Sequence, residues 1–236
     1  MYKKYEEILS VKLVSYTQPA EDYEYLLRSD ANSDALTNLI AYCARVSNPS
    51  NQNNTETSEK LLGYLIKNKH WSPFEMVNVC LEITSTRDIV RQILRHRSFS
   101  YQEFSQRYAD PTKELEFCIR EPRLQDNKNR QNSIQTDDYN LANVWEQMQI
   151  EVISIAKTNY EYAISQGIAK EVARVMLPEG NTVSRCYMNG TIRSWIHLVD
   201  VRTDKSTQKE HRLVAQEISK VISKVFPNID SFVKPE

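Results

Sequence analysis

Two hydrophobic periods follow one another in the stretch VNVCLEITSTRDIVRQIL, residues 77–94. Over residues 77–84 apolar side chains occupy every second position, which is the period of a strand with one buried face. Over residues 89–94 the apolar spacing becomes helical. Between them, Ser85 followed three positions later by Asp88 has the pattern of a helix N-terminus. The stretch therefore predicts a strand that passes directly into a helix.

The flanking sequence predicts elements of both kinds. Val11 and Leu13 indicate a strand upstream. Helical spacing recurs in the runs 36–44, 61–65, 141–163, 172–176, 192–199 and 214–225. The longest run is expected to place one apolar stripe on a helix, formed by Leu141, Val144, Trp145, Met148, Val152, Ile155, Ala156 and Ala163. The predicted class is α+β or α/β, with helix in the majority.

Chain length and net charge limit the number of domains and the classes of partner that we expect. A chain of 236 residues fits one domain, so we expect residues 1–236 to form a single domain. Residues 121–140 are too polar to add to its core, and we expect a surface excursion there, either a lid or a plain insertion. The 30 basic and 31 acidic residues give a net charge of −1, and no apolar run is long enough to span a bilayer. We therefore expect a cytoplasmic protein whose partners include neither nucleic acid nor membrane.

Glycine and cysteine usage excludes several kinds of site. The four glycines lack the spacing of Rossmann or Walker phosphate loops, so a phosphorylated ligand needs arginine side chains or helix N-termini. The four cysteines form no C-x-x-C pair, and the histidines show no spacing typical of a metal site. We expect no bound metal. Reduced, mostly buried thiols are expected at Cys43, Cys80, Cys118 and Cys186.

Arginine is concentrated between residues 87 and 107. On a continuing helix, Gln92, Arg95 and His96 fall at i, i+3 and i+4 and share one face. A charged run of this kind is commonly a solvated face, and composition alone leaves that interpretation as open as a binding site. The arginines of the run are Arg87, Arg91, Arg95, Arg97 and Arg107.

The second half of this run suits a nucleotide if it is extended. Glu103, Ser105 and Arg107 then project to one side, because strand side chains alternate. Arginine and serine bind phosphate oxygens, and a carboxylate accepts hydrogen bonds from ribose hydroxyls. A rival of another class is a non-enzymatic nucleotide- or RNA-binding module, which would be colourless and would stack bases on aromatic rings. The candidate rings are Phe99, Tyr101, Phe104 and Tyr108.

The string RHRSFSYQEFSQRY, residues 95–108, resembles the signature R-H-R-x-x-S-x-N-E-x-S-x-R-Y of flavin-dependent thymidylate synthases. Further motifs are similar to those of the same family. They are A-R-V-S at 44–47, H-W-S-P-F-E at 70–75, E-V-A-R with L-P within 171–178, and the segment from Arg193 through Arg202 to Glu210. The resemblance covers most of the chain, roughly residues 36–226.

This resemblance implies an enzyme, a methyltransferase that converts dUMP to dTMP by reductive methylation. Members of the family take the carbon from 5,10-methylenetetrahydrofolate and use NADPH to reduce bound FAD. They are homotetramers whose sites are assembled from several subunits. None of the four cysteines lies in these motifs, which argues against the other type of thymidylate synthase, where a protein thiolate attacks uracil. The implied fold is one domain with a central, mostly antiparallel sheet packed against several long helices.

The resemblance also implies a role for each matching residue. Arg202 is expected to be catalytic, facing the uracil edge and stabilising negative charge that develops on the ring. The implied dUMP-binding residues are Gln92, Arg95, Glu103, Phe104, Ser105, Gln106, Arg107, Arg174 and Arg202. The implied FAD-binding residues are Ser47, His70, Ser72, Arg95, His96, Arg97, Glu103, Thr191, Arg193 and His197.

Overall fold

The computed structural model describes residues 2–27 and 34–235. Its strands are β1 (Lys3–Lys4), β2 (Ser10–Tyr16), β3 (Asn78–Thr86), β4 (Ser100–Glu103), β5 (Cys118–Ile119), β6 (Arg123–Gln125), β7 (Ser133–Gln135) and β8 (Val183–Thr191). Its helices are α1 (Tyr5–Ile8), α2 (Ala35–Ala44), α3 (Ser58–Lys67), α4 (Arg87–Ile93), α5 (Pro111–Glu114), α6 (Tyr139–Ser165), α7 (Lys170–Ala173), α8 (Ile192–Arg202) and α9 (Lys209–Ile222). Short 3₁₀ segments lie at Glu21–Leu26, Pro49–Asn51, Ser72–Glu75, Arg174–Met176 and Pro227–Phe232.

A four-stranded sheet in the order β2, β3, β8, β4 forms the centre of the fold. Every pairing within it is antiparallel. The central pair, β3 and β8, is matched over its whole length, from Asn78 opposite Thr191 to Thr86 opposite Val183. The main core lies between this sheet and the apolar faces of α2, α3, α4, α8 and α9. The predicted class, a central antiparallel sheet packed against helices, is confirmed.

The hydrophobic pattern did not predict β8. The buried positions along this strand include Ser184, Cys186, Met188 and Gly190. Because two of these four are serine and glycine, the apolar period that reveals a strand is incomplete. Glycine is required at position 190, since a Cβ atom there would overlap the ring of Phe99.

The predicted passage from strand to helix is confirmed with shifted boundaries. β3 runs to Thr86, which is the N-cap of α4, so the predicted helix start at Ser85 is early by one residue. Ser85 stays in the strand, where its hydroxyl lies 2.7 Å from the hydroxyl of Tyr5. α4 ends at Ile93, so the prediction that Arg95 and His96 extend its face is wrong. Both residues lie in the turn that follows the helix.

The polar excursion at residues 121–140 contains β6 and β7, which pair with each other as a hairpin. Leu124 and Ile134 on this hairpin stay half-exposed, in agreement with the prediction that it adds nothing to the core. One strong contact anchors it to α9. Arg123 donates to both carboxylate oxygens of Glu210, at 2.7 and 2.9 Å. This hairpin is therefore fixed to the helix that follows the Arg202 segment.

The stripe predicted on α6 is only partly buried. Of its residues only Ala156 and Ala163 are buried. Ala163 packs together with Ile153 and Tyr160, which the predicted stripe did not include, against β5 and α7 in a second, smaller core. β5 has two residues and α7 four, so they cover only one side of a helix of 27 residues. No helix within the described residues is long and apolar enough to cross a membrane. The stripe residues that remain 38–57% exposed are Leu141, Val144, Trp145, Met148, Val152 and Ile155.

Candidate active site

The C-terminal ends of α4 and α8 bring two predicted side chains into contact. His96 lies in the turn after α4, and Arg202 is the last residue of α8. Arg202 Nε donates to His96 Nε2 at 2.9 Å. Burial and the nearby Arg95 lower the pKa of Arg202. In the part of the chain that the structure describes, no carboxylate pairs with Arg202, so its positive charge is available to a ligand.

His96 orients this arginine without neutralising it. Burial, followed by the charges of Arg202 and His197, lowers the pKa of His96 to about 4. The ring is therefore neutral near pH 7. Because its Nε2 accepts the hydrogen bond from Arg202, the ring proton lies on Nδ1. A neutral acceptor in this position holds the Arg202 guanidinium in place without reducing its positive charge.

Hydrogen bonds link the hairpin to Gln92 through Glu210 and Gln208. The Arg123–Glu210 pair at one end determines which group donates in each of the other bonds. Arg123 can only donate and the Glu210 carboxylate can only accept. Gln208 Nε2 also donates to Glu210, at 2.8 Å, which turns the Gln208 carbonyl oxygen toward Gln92. Gln92 Nε2 then donates to that oxygen at 2.8 Å. The hairpin thereby fixes which way the Gln92 amide points.

His211 completes this chain, and we call Arg202, His96, Gln92 and His211 the first group of the site. Gln92 Oε1 lies 3.2 Å from His211 Nδ1, and because an amide oxygen only accepts, that nitrogen carries the proton. Burial, followed by the charges of Arg202 and His96, lowers the pKa of His211 to about 3. Its Nε2 is buried and has no hydrogen-bond partner within the described residues. No motif in the sequence pointed to His211, although it is one of four histidines. The rings of His197 and His211 each lie 6.3 Å from the His96 ring, measured between ring centroids.

We expect acid to destabilise the fold through these histidines. The folded chain protonates His96 only near pH 4 and His211 only near pH 3, whereas an unfolded histidine binds its proton near pH 6.5, roughly its unperturbed pKa. Their contribution to stability is thus complete above about pH 6.5 and is lost as pH falls, by at most about 1.4 kcal/mol per pH unit for each ring. His211→Phe should flatten this fall, measured as the free energy of unfolding in urea from about pH 6.5 to 4.5. The exposed His70, changed to Phe, is the control, and equal slopes in both variants would contradict the prediction.

A second group of predicted residues surrounds a cavity of about 380 Å³ beside α4 and α7. Gln106 and Arg174 line it as predicted, and Arg107 lies at its edge with Nε 3.2 Å from Glu171 Oε2. The predicted set left out four further charged residues of this wall, although two of them belong to the arginine run. They are Arg87, Arg91, Glu171 and Glu179.

Glu103 lies between the second group and the sheet. Its Oε1 accepts from Arg87 Nη1 at 3.2 Å and from Ser184 Oγ at 2.9 Å. Its side chain is only 16% exposed. The carboxylate is therefore fixed, with Oε2 the oxygen left for a ligand hydroxyl.

The predicted extended projection of Glu103, Ser105 and Arg107 is wrong. β4 ends at Glu103, and the backbone then turns. The amides of Tyr108 and Ala109 both donate to the Ser105 carbonyl oxygen at 3.1 Å. The Ser105 hydroxyl also accepts from the Arg107 amide at 3.4 Å, a local bond that competes with strand pairing. The turn, and not a strand face, places Arg107 beside Glu171.

A third group lines a cavity of about 520 Å³ along α8. Arg193 and His197 of the predicted FAD set are found here, four residues apart on one helix face. Arg193 pairs with Glu75. The His197 ring contacts His96, so this cavity adjoins the first group. The other lining residues are Trp71, Ser98, Ser194, Ile196, Asp200 and Phe232.

The remaining predicted FAD residues lie on the surface or support a helix end. Ser47, His70 and Ser72 are exposed on the segments that flank α3, and they line neither cavity. Thr191 is the N-cap of α8, where its hydroxyl accepts from the Ser194 amide at 3.3 Å. Thr191 therefore has a structural role that is independent of any ligand.

The four candidate stacking rings do not form an exposed row. Phe99 is 9% exposed and packs on Trp195 with ring centroids 4.6 Å apart. Tyr101 is half-buried, with its hydroxyl 2.7 Å from a backbone carbonyl oxygen. Phe104 is half-buried as well, and only Tyr108 is largely exposed, at 82%. This arrangement disfavours the RNA-binding alternative, which needs several accessible faces.

The cysteines are poor nucleophiles in this fold. All four are free thiols. Burial raises the pKa of each one, to about 12 for Cys118 and Cys186. A thiol protonated at neutral pH reacts slowly, because the thiolate is the attacking form. Among the described residues no three histidine, cysteine or acidic side chains gather as metal ligands.

The fold and these three groups define a class: an antiparallel-sheet protein whose candidate site is rich in arginine and lacks a glycine-rich phosphate loop. The family model "Thymidylate synthase complementing protein" matches residues 12–228. A flavin-dependent thymidylate synthase of Synechocystis sp. is 48% identical over 221 residues, which cover 94% of this chain and 97% of that protein. A probable flavin-dependent thymidylate synthase of Paramecium bursaria Chlorella virus 1 is 42% identical over the same shares. The chain belongs to the family of flavin-dependent thymidylate synthases.

Solved structures share the fold. A UMP/dUMP methylase, PolB from Streptomyces cacaoi bound with 5-Br dUMP, matches with a TM-score of 0.74 over 95% of this chain and 94% of that chain. The same enzyme bound with 5-Br UMP gives the same score. The sequence identities are 22% and 21%, so this likeness concerns the fold.

Proposed function

We propose that this chain catalyses the reductive methylation of dUMP to dTMP, as a single-domain, FAD-dependent methyltransferase in the cytoplasm. 5,10-Methylenetetrahydrofolate donates the carbon and NADPH donates the electrons. The observation that carries the proposal is the contact between Arg202 and neutral His96. An oriented cation without an acid partner stabilises the negative charge that develops when the pyrimidine ring becomes a nucleophile.

In this proposal the first group binds the uracil ring of dUMP and the second group binds its phosphate. Arg202 lies against the uracil edge, and Gln92 beside it offers its free N–H and lone pair in a fixed orientation. Arg107 and Arg174 hold the phosphate, because planar guanidinium groups bind its oxygens in pairs. The other proposed dUMP contacts are Arg95, Glu103, Phe104, Ser105 and Gln106.

The residues of the third group suit FAD. Trp71 and Phe232 offer aromatic surface in a cavity of about 520 Å³, and Arg193 and His197 offer polar contacts. Arg95 and Arg97 are exposed on the adjoining turn, where guanidinium groups suit a pyrophosphate. When bound, FAD supplies the hydride chemistry that no side chain can provide. The proposed set is completed by Ser47, His70, Ser72, His96, Glu103 and Thr191.

Arg174→Lys is expected to weaken dUMP binding by about 1–3 kcal/mol, the scale of a charge-assisted hydrogen bond. Lysine keeps the charge but loses the planar fork that grips a phosphate. FAD affinity should change little, because Arg174 lies in the second group only. Calorimetric titrations with each ligand check this, and Arg95→Lys, which should weaken both ligands, is the matched comparison. Parent-like dUMP binding in Arg174→Lys, or a loss of FAD instead, would overturn the proposed division of the site.

The proposed enzyme is a homotetramer with shared sites, and the exposed side of α6 supports assembly. Val144, Met148, Val152 and Ile155 share one helix face and are each at least 50% exposed. A contiguous apolar face of this kind is typical of contact with another copy. Val152→Lys should convert the tetramer to smaller, inactive species in size-exclusion chromatography with light scattering. Asn143→Lys, on the polar side of the same helix, should leave the tetramer intact, and a parent-like mass for Val152→Lys would exclude this face.

One experiment tests the function as a whole. The purified protein should be yellow, with flavin absorbance, and should form dTMP from dUMP only when FAD, methylenetetrahydrofolate and NADPH are all present. Single Cys→Ser variants should keep this activity whenever they fold. A colourless protein that binds RNA would favour the rival function. A covalent adduct of dUMP on a cysteine whose removal abolishes activity would refute the flavin route.

A further inference from the structure

A third cavity, of about 460 Å³, opens between the β6–β7 hairpin and the start of α9. The proposed mechanism does not use it. The hairpin contributes amide and hydroxyl side chains, and the loop before α9 contributes basic ones. None of the side chains that line the cavity is acidic. Its four basic residues are Arg123, Lys205, Lys209 and Arg212.

Two of these four charges are already balanced, and two are available. Arg123 pairs with Glu210, and Lys209 pairs with Glu121 at 2.6 Å. Lys205 and Arg212 form no ion pair within residues 2–27 and 34–235. Arg212 is nevertheless held in place, because its Nη1 donates to the carbonyl oxygens of Lys205 and Thr207, at 3.4 and 3.0 Å. The cavity therefore holds an ordered guanidinium and an ammonium that no carboxylate of the described residues contacts directly, although hydrogen bonds from Ser206 and, more weakly, the charge of Arg212 lower the pKa of the nearby Asp204 carboxyl.

The N-terminus of α9 adds to this positive field. The helix has 14 residues and begins after Gln208, whose side chain does not cap it. That side chain is committed instead to Gln92 and Glu210. The first turn also carries Glu210, but that carboxylate is paired with Arg123. The N–H groups of this turn therefore have no side-chain cap and can bind an acceptor in the cavity.

We propose that this cavity binds the multiply charged anionic tail of a co-substrate, an inference that rests on the proposed function. Gln208 lines the cavity and also bonds to Gln92, so the cavity lies next to the dUMP site. Each of the two co-substrates carries such a group. NADPH has a phosphate monoester on its adenosine ribose, and the folate has a chain of glutamate carboxylates. The charged tail itself takes no part in the reaction, so its recognition adds affinity without altering the chemical step.

The two sources of the tail are separated by binding probes that need no turnover. The probes are 2′,5′-ADP and a γ-linked triglutamate peptide, titrated into the FAD-loaded protein by calorimetry at low and high salt. We expect one probe to bind, and to bind at least about 10-fold more weakly to the Lys205→Gln/Arg212→Gln double variant, as expected for lost charge-assisted bonds. The matched control is Lys220→Gln/Lys224→Gln, two lysines in the last turn of α9 and just beyond its C-terminal end.

Kinetics give the second readout. If the tail is the phosphate, the double variant loses kcat/KM for NADPH but not for NADH. If it is the glutamate chain, the variant loses its preference for triglutamylated over monoglutamylated methylenetetrahydrofolate. The KM for dUMP should stay unchanged in both cases. The proposal is overturned if neither probe binds, or if the double variant binds both probes as the parent does. A parent protein that forms no dTMP would instead refute the proposed function, so the two failures are distinct.

Discussion

Arg202→Ala is expected to lower kcat for dTMP formation by about 10²–10³-fold, the cost of removing one fixed donor from a developing negative charge. The side chain is half-exposed at the end of α8 and outside the core, so the fold should be retained. The flavin spectrum and the Tm should match those of the parent. Arg202→Lys keeps a charge but loses the Nε contact with His96, and should recover only part of the rate.

A matched control separates this effect from a general loss of positive charge. Arg185 is an exposed arginine on β8, outside the three groups of the site. Arg185→Ala should therefore keep parent kinetics in the same steady-state assay. Near-normal turnover in Arg202→Ala would show that Arg202 is not the catalytic residue.

Glu210→Ala is expected to lower the free energy of unfolding by about 3–5 kcal/mol, the scale of breaking a buried ion pair. The Glu210 side chain is 3% exposed and its partner Arg123 is 14% exposed. Burial by itself raises the pKa of Glu210, but hydrogen bonds from Arg123 and Gln208 and the charge of Arg120 outweigh it and lower the pKa. Without the carboxylate, the buried Arg123 keeps only the more exposed Glu121, 3.3 Å away, as an ion-pair partner, and the hairpin loses its anchor on α9.

Glu217, on the same helix, provides the comparison for this change. It pairs with Lys220 on the surface, with side chains 39% and 69% exposed. Glu217→Ala should cost less than about 1 kcal/mol, because solvent screens exposed pairs. Urea unfolding at neutral pH measures both variants. Similar small losses in both would mean that the hairpin is not held by Glu210.

Local pattern predicted the strand that passes into α4, but it could not predict β8 at the centre of the sheet. The buried positions of β8 are selected by distant partners more than by hydrophobicity. Ser184 is buried because its hydroxyl donates to Glu103, and Gly190 because the Phe99 ring lies against it. Strand preferences of this kind depend on tertiary context and leave little periodic signal.

In the candidate site, too, the sequence predicted individual residues but not the contacts between them. The motifs at residues 95–108 and 193–210 identified His96 and Arg202 separately, but their contact joins residues 106 positions apart and cannot be read from spacing. Arg123 and His211 lie outside the family motifs, so nothing in the sequence connected them with Gln92. The apolar stripe of α6 was predicted as one face, whereas the folded chain buries one side and leaves the other exposed. Periodicity reports that a helix has apolar surface, and it does not report how many partners share it.

The ring of Phe99 rests on the bare backbone of Gly190 and meets the edges of Trp195 and His96, with centroids 4.6 and 6.4 Å away. The turn that carries His96 therefore lies as near to the sheet as backbone contact permits. A single methyl group at position 190 would act as a spacer and lift the turn, and the imidazole would move away from Arg202. The orientation of the Arg202 guanidinium thus depends on the absence of a Cβ atom at position 190 of β8, a position that contacts no proposed ligand.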